Sequence, residues 1–157
     1  MPISTDQHNY YQAVIEVAQQ VFHAMLGLDL YPNEDTHKLA RGMTATVQFL
    51  GEIRGAVLIH CDPQQAIGFA SRMLDEKVKD INDDVRDVLA ELANVVGGNL
   101  KSILSPSAVL SLPLVAEGED YALHLSDASC SVSVGFDCEF GSFYITFTKG
   151  LVHAGEV

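Results

Sequence analysis

Glu91 and Asn94 stand three residues apart within Asp83 to Leu104, the run DDVRDVLAELANVVGGNLKSIL. Side by side, a carboxylate and a primary amide can act together on one small polar group. The carboxylate attracts a cation, while the amide carbonyl accepts a hydrogen bond and its NH₂ donates others. An amide can therefore orient a water molecule without bringing charge near an anionic substrate. Both side chains must then point the same way, which i, i+3 spacing on a helix provides.

Other constellations are poorer. Asp84, Asp87 and Glu91 form an acidic strip, but carboxylates at a helix start are favoured by the macrodipole. No ligand set is completed elsewhere, so no metal is expected. The histidines, at 8, 23, 37, 60, 124 and 153, lack metal-binding spacing. His60 and Cys61 are strand neighbours whose side chains should point to opposite faces, which argues against a Cys–His nucleophile. Ser102, Ser105 and Ser107 have no G-x-S-x-G setting.

The run carrying Glu91 and Asn94 reads as one amphipathic helix. Val85, Val88, Leu89, Leu92, Val96, Leu100 and Ile103 make an apolar stripe. Asp84, Asp87, Glu91, Asn94, Gly98, Lys101 and Ser102 take the opposite face. Polar residues on an exposed helix face are usual, so E-x-x-N alone is a weak signal. Gly97 and Gly98 add to it, because each costs about 1 kcal/mol relative to alanine inside a helix. Such a cost points to close approach by another surface, expected at Gly98 because it lies beside Glu91 and Asn94. Asn99, at the edge of the stripe, is expected to be a buried, hydrogen-bonded amide.

Upstream, Asp6 to Gly27 reads as the first helix, with Gly27 as its stop. Tyr31 to Lys38 reads as a loop around Pro32-Asn33. Thr44 to Leu50 and Arg54 to Cys61 alternate as a hairpin about Gly51-Glu52. Asp62-Pro63 opens a short helix, with Asp62 as N-cap, Gln65 three residues on, and Ile67, Ala70, Met73 and Leu74 as its buried side. Downstream, Val109 to Val115 reads as a strand, Glu117 to Asp120 as a turn and Tyr121 to Leu125 as a short strand. Ser129 to Phe136 and Ser142 to Thr148 form a second hairpin around Asp137-Cys138-Glu139. Gly150 to Val157 has no pattern.

The halves, about 6–74 and 82–148, look alike. AVIEVAQQV at Ala13 parallels VLAELANVV at Val88, matching Glu16 to Glu91 and Gln19 to Asn94. FLGEIRGAVLI at Phe49 parallels FDCEFGSFYI at Phe136. A helix-then-hairpin repeat within one domain, residues 1–157, predicts an α+β fold with long helices packed on antiparallel sheet. Glutamine carries its amide one methylene farther out than asparagine, so Glu16 and Gln19 read as a degenerate second copy of the pair.

Composition narrows the partners. At 157 residues the chain can bury a proper core, and 48% hydrophobic with 19% charged residues describes an ordered globular protein. A net charge of −12 with only nine Lys and Arg argues against nucleic-acid binding. Cys61, Cys130 and Cys138 leave one thiol over under any pairing, which fits reduced cysteines in the cytoplasm. No signal peptide and no membrane span are expected.

The run ELANVVGGN, with Asp87 one turn earlier and Leu112-Pro113 downstream, resembles the CheC/CheX/FliY family of chemotaxis phosphatases, and CheX most closely. The likeness extends to the segment ending in MLGLDL, to GEIRGAVLIH, to ASRMLDEKV and to EFGSFYITF. It implies a hydrolase that removes the aspartyl phosphate of a CheY-like receiver domain. Asn94 would position the attacking water and Glu91 would dock the receiver through its lysine. Asp87, Gly98 and Lys101, on the same face, are the expected receiver contacts. The resemblance implies no cofactor of the chain's own, with Mg²⁺ supplied by the receiver. It also implies a homodimer, joined through sheet edges for which Val109 to Val115 and Ser142 to Thr148 are apolar enough. The alternatives are a non-catalytic adaptor for a receiver, or a structural dimer module akin to flagellar switch components.

Overall fold

The structure, a computed structural model, describes residues 5–33, 42–51, 53–118 and 128–151. In chain order these form α1 (Thr5–Leu26), β1 (Tyr31–Asn33), β2 (Gly42–Leu50), β3 (Ile53–Cys61), α2 (Pro63–Leu74) and α3 (Asp83–Leu104). There follow β4 (Val109–Leu110), β5 (Leu114–Gly118), β6 (Ala128–Cys138) and β7 (Gly141–Leu151). The strands make one antiparallel sheet in the order β1-β6-β7-β3-β2-β4, with β5 also paired to β2. The fold is α+β, as the alternation and helix periods predict. The order has the same form read from either end: a short strand that follows a long helix, then a hairpin.

Alternation turns one set of apolar side chains of this sheet toward the helices. Met43, Ala45, Val47 and Phe49 of β2 are buried there with Val57, Ile59 and Cys61 of β3. Val132, Val134, Phe136, Phe143, Ile145 and Phe147 continue it across β6 and β7. All three helices cover that face, and their buried side chains join the strands in one contiguous core. No helix among the described residues is long and apolar enough to cross a membrane.

Helix ends are settled by the local signals. Gly27 closes α1 with φ of +60°, where a left-handed residue is needed and glycine carries no steric cost. Asp62 and Gln65 form the reciprocal capping box of α2, at 2.7 and 2.8 Å. The Gln65 side chain also donates to the Ser142 carbonyl at 2.6 Å, so one residue both starts α2 and docks it on β7. Ala66, Phe69 and Ala70 are the buried side of α2, while Leu74 is exposed. Asn82 caps α3 by accepting from the Val85 amide at 3.0 Å.

Several boundaries differ from the sequence expectation. Tyr31 to Asn33 is a strand, because it finds a partner in β6 across Asp137 to Gly135. The strand expected over Val109 to Val115 is split at Ser111 to Pro113 and continues through Glu117 and Gly118, where the sequence predicts a turn. Asp137 and Cys138 lie inside β6. The turn falls at Glu139-Phe140, where Gly141 with φ of +106° takes the reversal. Gly150 belongs to β7, opposite Arg54. The expected strand Tyr121 to Leu125 and the rest of the terminal segment lie outside the described residues. Ser142 to Thr148 is flanked by β6 and β3, so it is an interior strand and offers no sheet edge.

Candidate functional site

Leu89, Leu92, Val96 and Leu100 are fully buried under α3, which fixes the helix in rotation about its axis. Its outer face then presents Asp84, Asp87 and Glu91 exposed, with Asn94 and Gly98 half-buried between them and the sheet edge. Among the described residues, no side-chain hydrogen bond or ion pair engages Asp87, Glu91 or Asn94. Their polar atoms are available to a partner. The stripe fails only at Ile103, which is 60% exposed, while Leu104 beside it packs against the core.

The two glycines have different roles. A Cβ built on Gly97 would lie 2.4 Å from Cγ1 of Val47, so Gly97 is where the helix backbone meets β2. Gly98 has only an ordinary contact, 3.7 Å to Leu110 Cδ1. The close approach expected at Gly98 is therefore made at Gly97, since one position along the helix turns the Cβ by about 100°. Gly98 leaves a flat patch one turn past Asn94.

The flanks of the site join residues far apart in sequence. Arg86 is 3.2 Å from Asp83 and 3.6 Å from Glu117, tying α3 to β5. Lys101 donates to the Pro106 carbonyl at 3.0 Å, so its ammonium closes the turn that follows α3. Asn99, expected in the core, is exposed and donates to the Val95 carbonyl one turn back at 2.8 Å. Sequence reasoning missed Arg86, Glu117 and Leu110, because nothing local announces a partner many residues away.

On α1, Glu16 is exposed and Gln19 half-buried, as helical spacing predicts. The Gln19 amide donates to the Leu30 carbonyl at 3.0 Å, and His23 stands one turn on, 3.1 Å from Asp29. Glu16, Gln19, Gln20, His23, Asp29 and Tyr31 line a shallow depression of about 840 Å³. α1 thus has a similar residue pair, but an engaged amide and an imidazole near it.

Nucleophile chemistry elsewhere is disfavoured. Cys61 lies in the core, where burial pushes its thiol pKa far up, while His60 faces the other side of the sheet. The His60 ring stacks on Tyr144 at 4.3 Å, and its Nδ1 is 3.2 Å from the Thr44 hydroxyl. Among the described residues, no three His, Cys, Asp or Glu side chains are grouped to hold a metal.

A family model described as chemotaxis phosphatase CheX matches residues 43–137, more than half of the chain. No curated protein sequence matches. Among solved structures, chemotaxis protein CheX from Vibrio vulnificus is 23% identical, with a TM-score of 0.75 over 90% of this chain and 99% of that one. A CheC-like superfamily protein from Shewanella sp. PV-4 is 24% identical, with a TM-score of 0.77 over 93% and 98%. The CheX–CheY–BeF₃–Mg²⁺ complex from Borrelia burgdorferi contains a chain 19% identical, with a TM-score of 0.71 over 95% and 99%.

Proposed function

The chain belongs to the chemotaxis phosphatase CheX family, and from that membership we propose that it hydrolyses the aspartyl phosphate of a CheY-like receiver domain. The observation that carries this reading is the pair Glu91 and Asn94, neighbours on an exposed face of a helix whose other side is locked in the core. The Borrelia complex supports the class of partner, since its CheX is bound to CheY.

In the proposed reaction a water oxygen bonds to phosphorus as the bond to the aspartyl oxygen breaks. The bonding pair leaves with the carboxylate, and a water proton passes to the phosphate product. Positioning is the main protein contribution to such a transfer. Asn94 orients the water through its carbonyl, with its NH₂ free to hold a phosphoryl oxygen. Glu91 pairs with the receiver lysine and seats the helix, and Asp87 extends the same anionic face. Gly98 leaves room for the receiver backbone. Lys101, which also donates to the Pro106 carbonyl, keeps further N–H donors for the receiver at the rim of the site. The receiver brings the Mg²⁺ that offsets phosphoryl charge.

Two further parts belong to this reading. Glu16 and Gln19 are a degenerate copy of the pair, left from a repeat of the halves 6–74 and 82–148. The chain forms a twofold dimer through β5, which pairs only with β2 among the described strands and carries the exposed Leu114.

The test is phosphate release from a phosphorylated receiver with and without this protein. A rate enhancement that requires Asn94 is the expected result. Binding without any enhancement would leave the chain an adaptor and overturn the proposal.

A further inference from the structure

Phe49 pairs with Leu110, and Thr46 pairs with Leu114. Three steps along β2 therefore face four along the edge strands, so one extra residue is inserted at Ser111 to Pro113. That is a β-bulge, a device that ends regular pairing and re-aims a side chain, often beside functional sites. It is held firmly. The Ser111 amide donates to the Gln48 carbonyl at 2.9 Å, and the Gln48 amide donates to the Ser111 hydroxyl at 2.9 Å. Pro113 fixes its own φ and withdraws a donor from the edge.

Leu112, at the centre of the bulge, is 90% exposed. Scattered exposed leucines need no explanation, but few are held on so constrained a backbone. Its neighbour Leu110 reaches back to Gly98, one turn past Asn94. Two residues of chain place Leu112 within about 7 Å of Leu110. A receiver seated on Glu91 and Asn94 would cover roughly 800 Å² of this surface, enough to include the bulge. Val109 and Leu114 stand apart from this, since they pair with Leu50 and Thr46 on the sheet face opposite α1, α2 and α3.

We propose that Leu112 is an apolar anchor for the receiver domain, buried when the receiver covers Glu91 and Asn94. The proposal rests on the phosphatase reading above. A side chain presented by a rigid bulge loses little freedom on binding, so its burial contributes to affinity. It touches neither water nor phosphorus, so it sets how tightly the receiver binds and not how fast the bond breaks.

Leu112→Ala and Leu112→Asp test this with the full chain. Melting should stay cooperative, because the side chain supports no core residue. Affinity for a CheY-like receiver activated with beryllofluoride and Mg²⁺ should fall roughly tenfold for alanine, the scale of one buried leucine, and further for aspartate. In phosphate release the loss should appear in KM, with kcat at saturating receiver within about twofold. Unchanged affinity and KM in both variants, with the wild type active, would overturn the anchor alone. So would sedimentation showing that Leu112→Asp is monomeric while receiver affinity is kept, which would assign the residue to self-association. A wild type that neither binds nor accelerates dephosphorylation would overturn the phosphatase reading, and the anchor with it.

Discussion

The Gln19 side-chain amide donates to the Leu30 carbonyl at 3.0 Å, whereas its counterpart Asn94 has no such partner among the described residues. The longer side chain folds back onto the segment after α1 and is held there. Two similar pairs on two helices thus differ in whether the side-chain amide is anchored to its own chain.

The copy on α1 should therefore be silent in turnover. A Glu16→Ala, Gln19→Ala double variant is expected to keep full phosphatase activity. It should lose about 1 kcal/mol of stability through the missing hydrogen bond. Denaturant melts with parallel phosphate-release assays check both halves of this expectation. Loss of turnover at unchanged stability would mean that α1 takes part in catalysis.

On α3 the order is reversed. Asn94→Ala should abolish stimulated dephosphorylation while changing stability by no more than about 0.5 kcal/mol, the usual effect at positions outside the core. Glu91→Ala should weaken receiver binding, and Glu91→Lys should weaken it more through like-charge repulsion. Titration calorimetry with an activated receiver reads the second pair. Equal affinity for both Glu91 variants and the wild type would remove the docking role.

Gly97 and Gly98 should respond oppositely to alanine. At Gly97 the new methyl meets Val47 at 2.4 Å, and overpacking of that kind costs about 1–3 kcal/mol. Val47→Ala should restore part of the loss in the double variant. Gly98→Ala meets only an ordinary contact and should gain up to about 1 kcal/mol from helix propensity. Its cost should appear as weaker receiver binding. Melting curves for the three variants decide the matter; a stable Gly97→Ala would show that β2 yields easily.

His60 should make the protein acid-sensitive. Burial lowers its pKa from 6.5 to about 4, so the unfolded chain takes up the proton first as pH falls. The stabilisation by neutral His60 is complete above about pH 6.5 and is lost progressively toward pH 4. At most it amounts to about 3 kcal/mol, and less where solvent reaches the ring. His60→Phe can keep the stack on Tyr144 without titrating, so its stability should fall less between pH 7 and 4. Identical pH dependence in the two proteins would refute this assignment.

Self-association should run through β5. Sedimentation at micromolar concentration is expected to give twice the 17.0 kDa chain mass. Leu114→Asp on the exposed edge should shift it to monomer. A wild type sedimenting as a single chain would refute the dimer.

Much of the candidate site is legible in the sequence because it depends on near neighbours along the chain. A period of 3.6 places Glu91 beside Asn94 and sets both against Leu92 and Val96. Asp62 and Gln65 announce their capping box across three residues, and alternation marks the inward positions of both hairpins. These signals are local, and local geometry decides them. What the tertiary structure alone decided involves partners far apart in sequence. Val47 selects Gly97 over Gly98 as the contact glycine, and Leu30 takes up the Gln19 amide. Pairing with β3 and β6 makes Ser142 to Thr148 interior, although its composition would suit an edge equally well. The bulge that presents Leu112 exists only as a mismatch of register between β2 and the strands beside it. No window of sequence contains both sides of that pairing, so it becomes visible only when the sheet is assembled.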